Sequence, residues 1–126
     1  MQTKTCNTFE SCFYIGSRRN YTGPAFTKQE LITAIQAYQE VHPSSLPVRV
    51  TDCCYVFKKG YCEEGWEVSA IEYPNNHQEA EKVHTFSLQL AEHLLNYFSQ
   101  NRITIRPSQC VIPTDMLESD NPETQY

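Results

Sequence analysis

Residues 47–73, PVRVTDCCYVFKKGYCEEGWEVSAIEY, hold the reading that decides the fold. From Pro47 to Lys58 the chain is rich in β-branched and aromatic residues, and its side chains alternate. Val48, Val50, Cys54 and Val56 share one face of a strand, and Arg49, Thr51, Cys53, Tyr55 and Phe57 the other. Gly60 and Gly65 bracket a turn region, and Trp66 to Tyr73 reads as a second strand, which gives a hairpin. Both faces of the first strand carry apolar or aromatic groups, so both are expected to be covered.

Upstream lies a marked helix start. Thr27 and Glu30 have the spacing of a capping box, with Thr27 as N-cap, and Phe26 and Leu31 that of a hydrophobic staple. Leu31, Ile32, Ile35 and Tyr38 recur at helical spacing, and Pro43 ends the helix at His42. Earlier still, Ser11 to Arg18 contains Cys12, Phe13, Tyr14 and Ile15, a short strand, followed by a turn at Gly23-Pro24. Downstream of the hairpin, Asn76 with Glu79 can cap a second helix. Its apolar stripe is Val83, Phe86, Leu90, Leu94, Leu95 and Phe98, and Asn101 is its expected left-handed cap. A last strand runs over Ile103–Arg106, is broken by Pro107, and can resume at Cys110 to Ile112.

The order is β-α-β-β-α-β, an α+β domain with an antiparallel sheet of about four strands on two helices. Residues 1–10 are expected to be a flexible arm, 11–113 the single domain, and 114–126 a polar acidic tail. Two helices cover one sheet face only, so the other face implies a homo-oligomer.

The chain has 126 residues, 40% of them hydrophobic, which suits one domain with its own core. A net charge of −5 argues against binding of DNA or RNA polymers, whose affinity rests on cationic side chains. No apolar run approaches a membrane span, and Met1 to Glu10 lacks a signal-peptide pattern, so a cytoplasmic protein is expected. Of six cysteines, none has C-x-x-C spacing, and free structural thiols are the expected state. His77, Glu81 and His84 do not have the spacing of H-E-x-x-H, and neither a metal site nor a cofactor is expected. Glu63-Glu64 reads as a solvated pair in a hairpin loop.

The candidate ligand-binding residues are arginines and aromatics. Arginine presents a planar fork suited to phosphate and carboxylate. Arg18 and Arg19 leave the first strand, Arg49 sits early in the second, and Arg102 stands at a helix-to-strand junction. Solvation or weak surface pairing is the competing reading for each. Tyr14 and Tyr73 lie near strand ends, where a ring can stack on a base or fill a subunit interface. Phe86 belongs to the core by its spacing.

The stretches YIGSRRNYTG (14–23), LPVRVT (46–51), EGWEVSAIEYP (64–74) and QNRITI (100–105) resemble the Thoeris anti-defence sponge family of phage proteins, over about Tyr14 to Ile112. The resemblance implies a compact oligomer that binds a cyclic nucleotide signal, such as a cyclic ADP-ribose isomer, without chemistry. It implies phosphate contacts for Arg49 and Arg102, and a stacking role for Tyr73 or Phe86. Asn75 and Asn76 follow Tyr73-Pro74 where that family carries an aromatic. The element order is also similar to the tautomerase superfamily, whose base is an N-terminal proline; residue 2 here is Gln2. The leading expectation is therefore a non-catalytic phage protein that sequesters a small nucleotide. A tautomerase-like enzyme without its proline and an acidic protein-binding inhibitor are the alternatives.

Overall fold

The computed structural model describes residues 2–20, 22–72, 80–106 and 112–120. The chain is α+β, as the hydropathy pattern predicts. A four-stranded antiparallel sheet has the order β3-β4-β2-β5, from β2 (Glu10–Gly16), β3 (Val48–Val56), β4 (Cys62–Ile71) and β5 (Ile105–Arg106). Helices α1 (Lys28–Val41) and α2 (Ala80–Tyr97) pack on one face.

Strand alternation builds the core. On β2, Phe13 and Ile15 point to the helices, paired with Val68 and Trp66 of β4. Leu31, Ala34, Ile35 and Tyr38 of α1 and Val83, Phe86, Leu90, Ala91 and Leu94 of α2 complete it. The stripe of α1 is turned slightly from the expected one, with Ala34 buried and Ile32 half-buried. Phe26 stacks on Phe98 at 3.9 Å between ring centroids and joins the start of α1 to the end of α2.

The helix ends follow from local chemistry. Thr27 accepts the backbone N–H of Glu30 at 3.1 Å, so the expected N-cap forms. Helix α1 stops at His42, whose Nδ1 lies 2.8 Å from the Tyr38 carbonyl. The left-handed cap of helix α2 falls two residues before the expected Asn101: Ser99 takes that conformation (φ 51°). Ser99 N–H donates to the Asn96 carbonyl and Gln100 N–H to that of Leu95, the paired bonds of a Schellman cap. The expected cap at Asn76 and Glu79 and the strand at Cys110–Ile112 lie wholly or mainly outside the described residues.

Two differences concern strands. Strand β4 begins at Cys62 rather than Trp66. Val56 pairs with Cys62, and the turn is confined to 57–61, where Lys58 (φ 62°) and Gly60 (φ 91°) take left-handed geometry. Glu63 and Glu64 thus belong to a strand, not to a loop. The expected arm and tail also meet: β1 (Gln2–Thr8) and β6 (Ile112–Glu118) form a separate antiparallel ribbon. Seven consecutive pairs close its ladder, a long-range pairing that period alone cannot announce.

Candidate functional site

The sheet face turned away from the helices collects the chemistry. Period-two alternation puts Cys12, Tyr14 and Gly16 of β2 on it. Opposite them on β4 stand Ser69, Glu67 and Gly65, and beyond these on β3 stand Arg49, Thr51 and Cys53. On the other flank, Arg106 of β5 faces Cys12. A cavity of about 280 Å³ opens here, lined among others by Tyr14, Tyr55, Glu63, Glu67, Arg102 and Arg106.

Tyr14 is its floor. Its ring meets Tyr55 edge-on at 4.5 Å, and its hydroxyl donates to the Glu63 carbonyl at 3.3 Å. Burial, then the negative charge of Glu63, raises the Tyr14 pKa well above the usual phenol range, so the hydroxyl keeps its proton. The ring needs the glycine beneath it: a Cβ on Gly65 would lie 2.7 Å from the Tyr14 hydroxyl and 2.2 Å from the Ile15 carbonyl oxygen.

The acids differ in their ties. Glu63 receives a hydrogen bond from the Tyr61 hydroxyl at 3.0 Å, and its carboxylate lies against Gly16, where a Cβ would come within 2.6 Å. Glu67, half-buried between Tyr14 and Thr51, has no hydrogen bond or ion pair among the described residues. Its charge, together with burial as the larger cause, raises the Cys12 pKa. The cations on this flank are equally uncommitted: neither Arg102 nor Arg106 has an acidic partner among the described residues. Gln100 donates to the carbonyls of Arg18 and Phe98 at 3.1 and 3.3 Å and so fixes the segment that carries Arg102.

Of the residues singled out from sequence, Tyr14 and Arg102 come together here. Arg49 lies on the same face but donates to Glu10 in an ion pair. Arg19 covers the rings of Phe26 and Phe98 at 5.5 and 5.6 Å. Arg18 lines a neighbouring hollow of about 740 Å³ that shares Glu63 with this cavity. Phe86 is a core side chain, edge-on to Tyr38, and borders a separate hollow of about 750 Å³ between the helices. Tyr73 lies outside the described residues. Sequence reasoning did not pick out Tyr55, Glu63, Glu67 or Arg106. The alternation counted forward from Trp66, which puts Glu67 on the face opposite Trp66 and Val68, was the signal that could have found Glu67.

No protein-family profile matches this sequence, and no curated protein is significantly similar to it. Solved structures are more informative. The chain is similar to phage SAM lyase in complex with S-methyl-5'-thioadenosine, at TM-score 0.50 and 18% identity, over 85% of this chain and 88% of that one. It is also similar to phage SAM lyase in the apo state, at TM-score 0.51 and 16% identity, over 90% and 94%. The fold is thus one found in a phage protein, and that protein is an enzyme. This corrects the expectation of a non-catalytic sequestering protein: the fold that the sponge resemblance was taken to imply is one on which a lyase is built.

Proposed function

We propose that the protein is an enzyme of phage type that cleaves a sulfonium nucleoside of the S-adenosylmethionine class at the outer face of its sheet. One observation carries the reading. A carboxylate and two arginines, none with an ion-pair partner among the described residues, surround a pair of tyrosines, in a fold shared with a SAM lyase.

The charges match those of the substrate. S-adenosylmethionine carries a sulfonium and an ammonium cation together with a carboxylate. Glu67 and Glu63 suit the cations, and the electron-rich rings of Tyr14 and Tyr55 line the cavity that would receive the sulfonium. Arg102 and Arg106 suit the carboxylate, which arginine binds through paired N–H donors. The cavity, about 280 Å³, falls just below the usual ligand-pocket range of about 300–1,000 Å³, and the hollow beyond Glu63 adds room for a nucleoside.

S-methyl-5'-thioadenosine retains the adenosyl and methyl groups, so the bond that breaks joins sulfur to the amino-acid chain. Its electron pair passes to sulfur, and the sulfonium becomes a neutral thioether. A lyase adds no water, so the carbon left behind is satisfied within the substrate, by ring closure onto its own carboxylate or by loss of a neighbouring proton. Charge disperses as the bond stretches, which a half-buried aromatic pocket favours over water.

The same reading takes the protein to be a cytoplasmic homo-oligomer. Val56 and Phe57, 74% and 64% exposed, stand with Tyr55 and Tyr61 at the hairpin end, and such clusters mark contact surfaces. No described helix is long and apolar enough to cross a membrane.

The test is to incubate purified protein with S-adenosylmethionine and follow both fragments by mass spectrometry, with Glu67→Gln alongside. Release of methylthioadenosine by the wild type and its loss in Glu67→Gln is the expected result. Equal release by both would remove Glu67 from the site. Native mass spectrometry of the same sample reads the assembly, and a monomer at micromolar concentration would contradict the oligomer.

A further inference from the structure

Strands β3 and β4 carry a second group of reactive side chains on the face opposite the candidate site. Their register sets Cys54 across from Glu64 and Val56 across from Cys62, which makes Cys54 and Cys62 diagonal neighbours on one face. Both are exposed free thiols. Glu64 stands opposite Cys54 and two residues from Cys62 on β4, and borders both the hollow that holds Cys54 and the one that holds Cys62. The remaining described thiols are placed differently. Cys53 points through to the other face at the level of Gly65, and Cys12 lies on β2 at the level of Ser69.

We propose that Cys54 and Cys62 form a modification site, a cross-strand dithiol that closes to an intramolecular disulfide by exchange with a low-molecular-weight disulfide such as oxidised glutathione. A hydrogen bond between the two thiols is the main cause that pushes the Cys54 pKa up to about 11, and it puts the two sulfurs within reach of each other. Cys62, as thiolate, attacks one sulfur of the small disulfide and expels one thiolate, leaving a mixed disulfide on Cys62. Cys54 then loses its proton, attacks the Cys62 sulfur and expels the second thiolate. Two protein thiols are oxidised, one small disulfide is reduced to two thiols, and the protons end on those thiols.

The closure has a mechanical consequence. Diagonal neighbours in an antiparallel pair sit about 7–8 Å apart. A disulfide spans Cα separations of about 4.4–6.8 Å. Forming the bond therefore draws β3 and β4 together along the diagonal. The pair inside that diagonal is Tyr55 and Glu63, whose side chains emerge on the opposite face and line the candidate site. Oxidation at the back of the hairpin thus shifts two lining residues at its front. This consequence rests on the reading of that site; the dithiol itself does not.

The full-length reduced protein is titrated with oxidised glutathione, quenched by alkylation, and digested without reduction for mass spectrometry. The expected product is a link between the 53–54 segment and Cys62 that survives in Cys53→Ser and vanishes in Cys54→Ser. In Cys54→Ser, Cys62 accumulates as the glutathione adduct. A link that is lost in Cys53→Ser but kept in Cys54→Ser would overturn the proposal. So would glutathione adducts on both cysteines with no internal link, or a link found only between chains. Turnover of S-adenosylmethionine is compared before and after oxidation in the wild type and in Cys54→Ser. A change confined to the wild type supports the coupling. Formation of the link with no turnover in either state supports the dithiol and counts against the lyase reading.

Discussion

Glu67 and Tyr14 separate binding from support at the residue scale. Glu67 is committed to no partner among the described residues, so removing its charge leaves the fold without a new buried orphan. Glu67→Gln is expected to keep its melting temperature while turnover falls by about a hundredfold or more, the usual scale for a positioned charged group. If Arg102 binds the substrate carboxylate as proposed, Arg102→Ala would remove a charge-assisted contact worth about 1.5–3 kcal/mol and is expected to raise KM by at least about tenfold. An unchanged KM would place the substrate carboxylate elsewhere. Tyr14 gives a pH signature. Its folded pKa lies above the ordinary 10.0 through burial and Glu63. Below pH 10 its contribution to stability is fully present. As pH rises past 10 the unfolded chain releases the phenolic proton more readily than the folded one, and stability falls. Thermal melts from pH 8 to 11 should show that decline in the wild type and a weaker one in Tyr14→Phe. Gly65→Ala is expected to cost about 1–3 kcal/mol, because its methyl group would meet backbone at Ile15 and Gly16.

Elements separate by what they are packed against. Thr27→Ala removes the cap of α1 and should lower stability by about 1 kcal/mol, read from denaturant melts. The β1–β6 ribbon is a different case. It pairs over seven residues a side, and two-stranded ribbons are marginal in water unless something covers them. Hydrogen exchange is expected to be fast in Gln2–Thr8 and slow in β2 and β4, with protection of the ribbon only where assembly covers it. Elements with a local signal were legible from sequence. Thr27 and Glu30 announced α1, Pro43 its end, and the alternation around Val48–Val56 the hairpin. The ribbon was not, because its partners lie more than a hundred residues apart and neither strand has an apolar period. The Schellman cap at Ser99 was hidden for another reason: the left-handed position favours Gly or Asn, which pointed to Asn101, and only the bonds to the Leu95 and Asn96 carbonyls place it at Ser99.

For the whole molecule, the sheet's two faces divide the work. The helix-covered face supplies the core, and the outer face gathers one acid without a partner among the described residues, two arginines and two tyrosines from β2, β3, β4, β5 and the segment before β5. Only half of that site was legible. Tyr14 and Arg102 were picked out for residue type and position, whereas Glu63 was read as a loop acid because the turn was expected to run to Gly65, four residues past its end at Tyr61. Glu67 and Arg106 acquire their meaning only when register sets them beside Tyr14 and Cys12. The functional expectation changed for a different reason, the likeness of the fold to that of a phage SAM lyase, which no motif of the sequence announces. The most direct measurement is a time course of the purified protein with S-adenosylmethionine, both fragments quantified by mass spectrometry. Stoichiometric conversion to methylthioadenosine and an amino-acid-derived fragment with no added water, lost in Glu67→Gln, is the predicted result. S-adenosylmethionine that persists unchanged at an enzyme concentration sufficient to bind it would contradict the account.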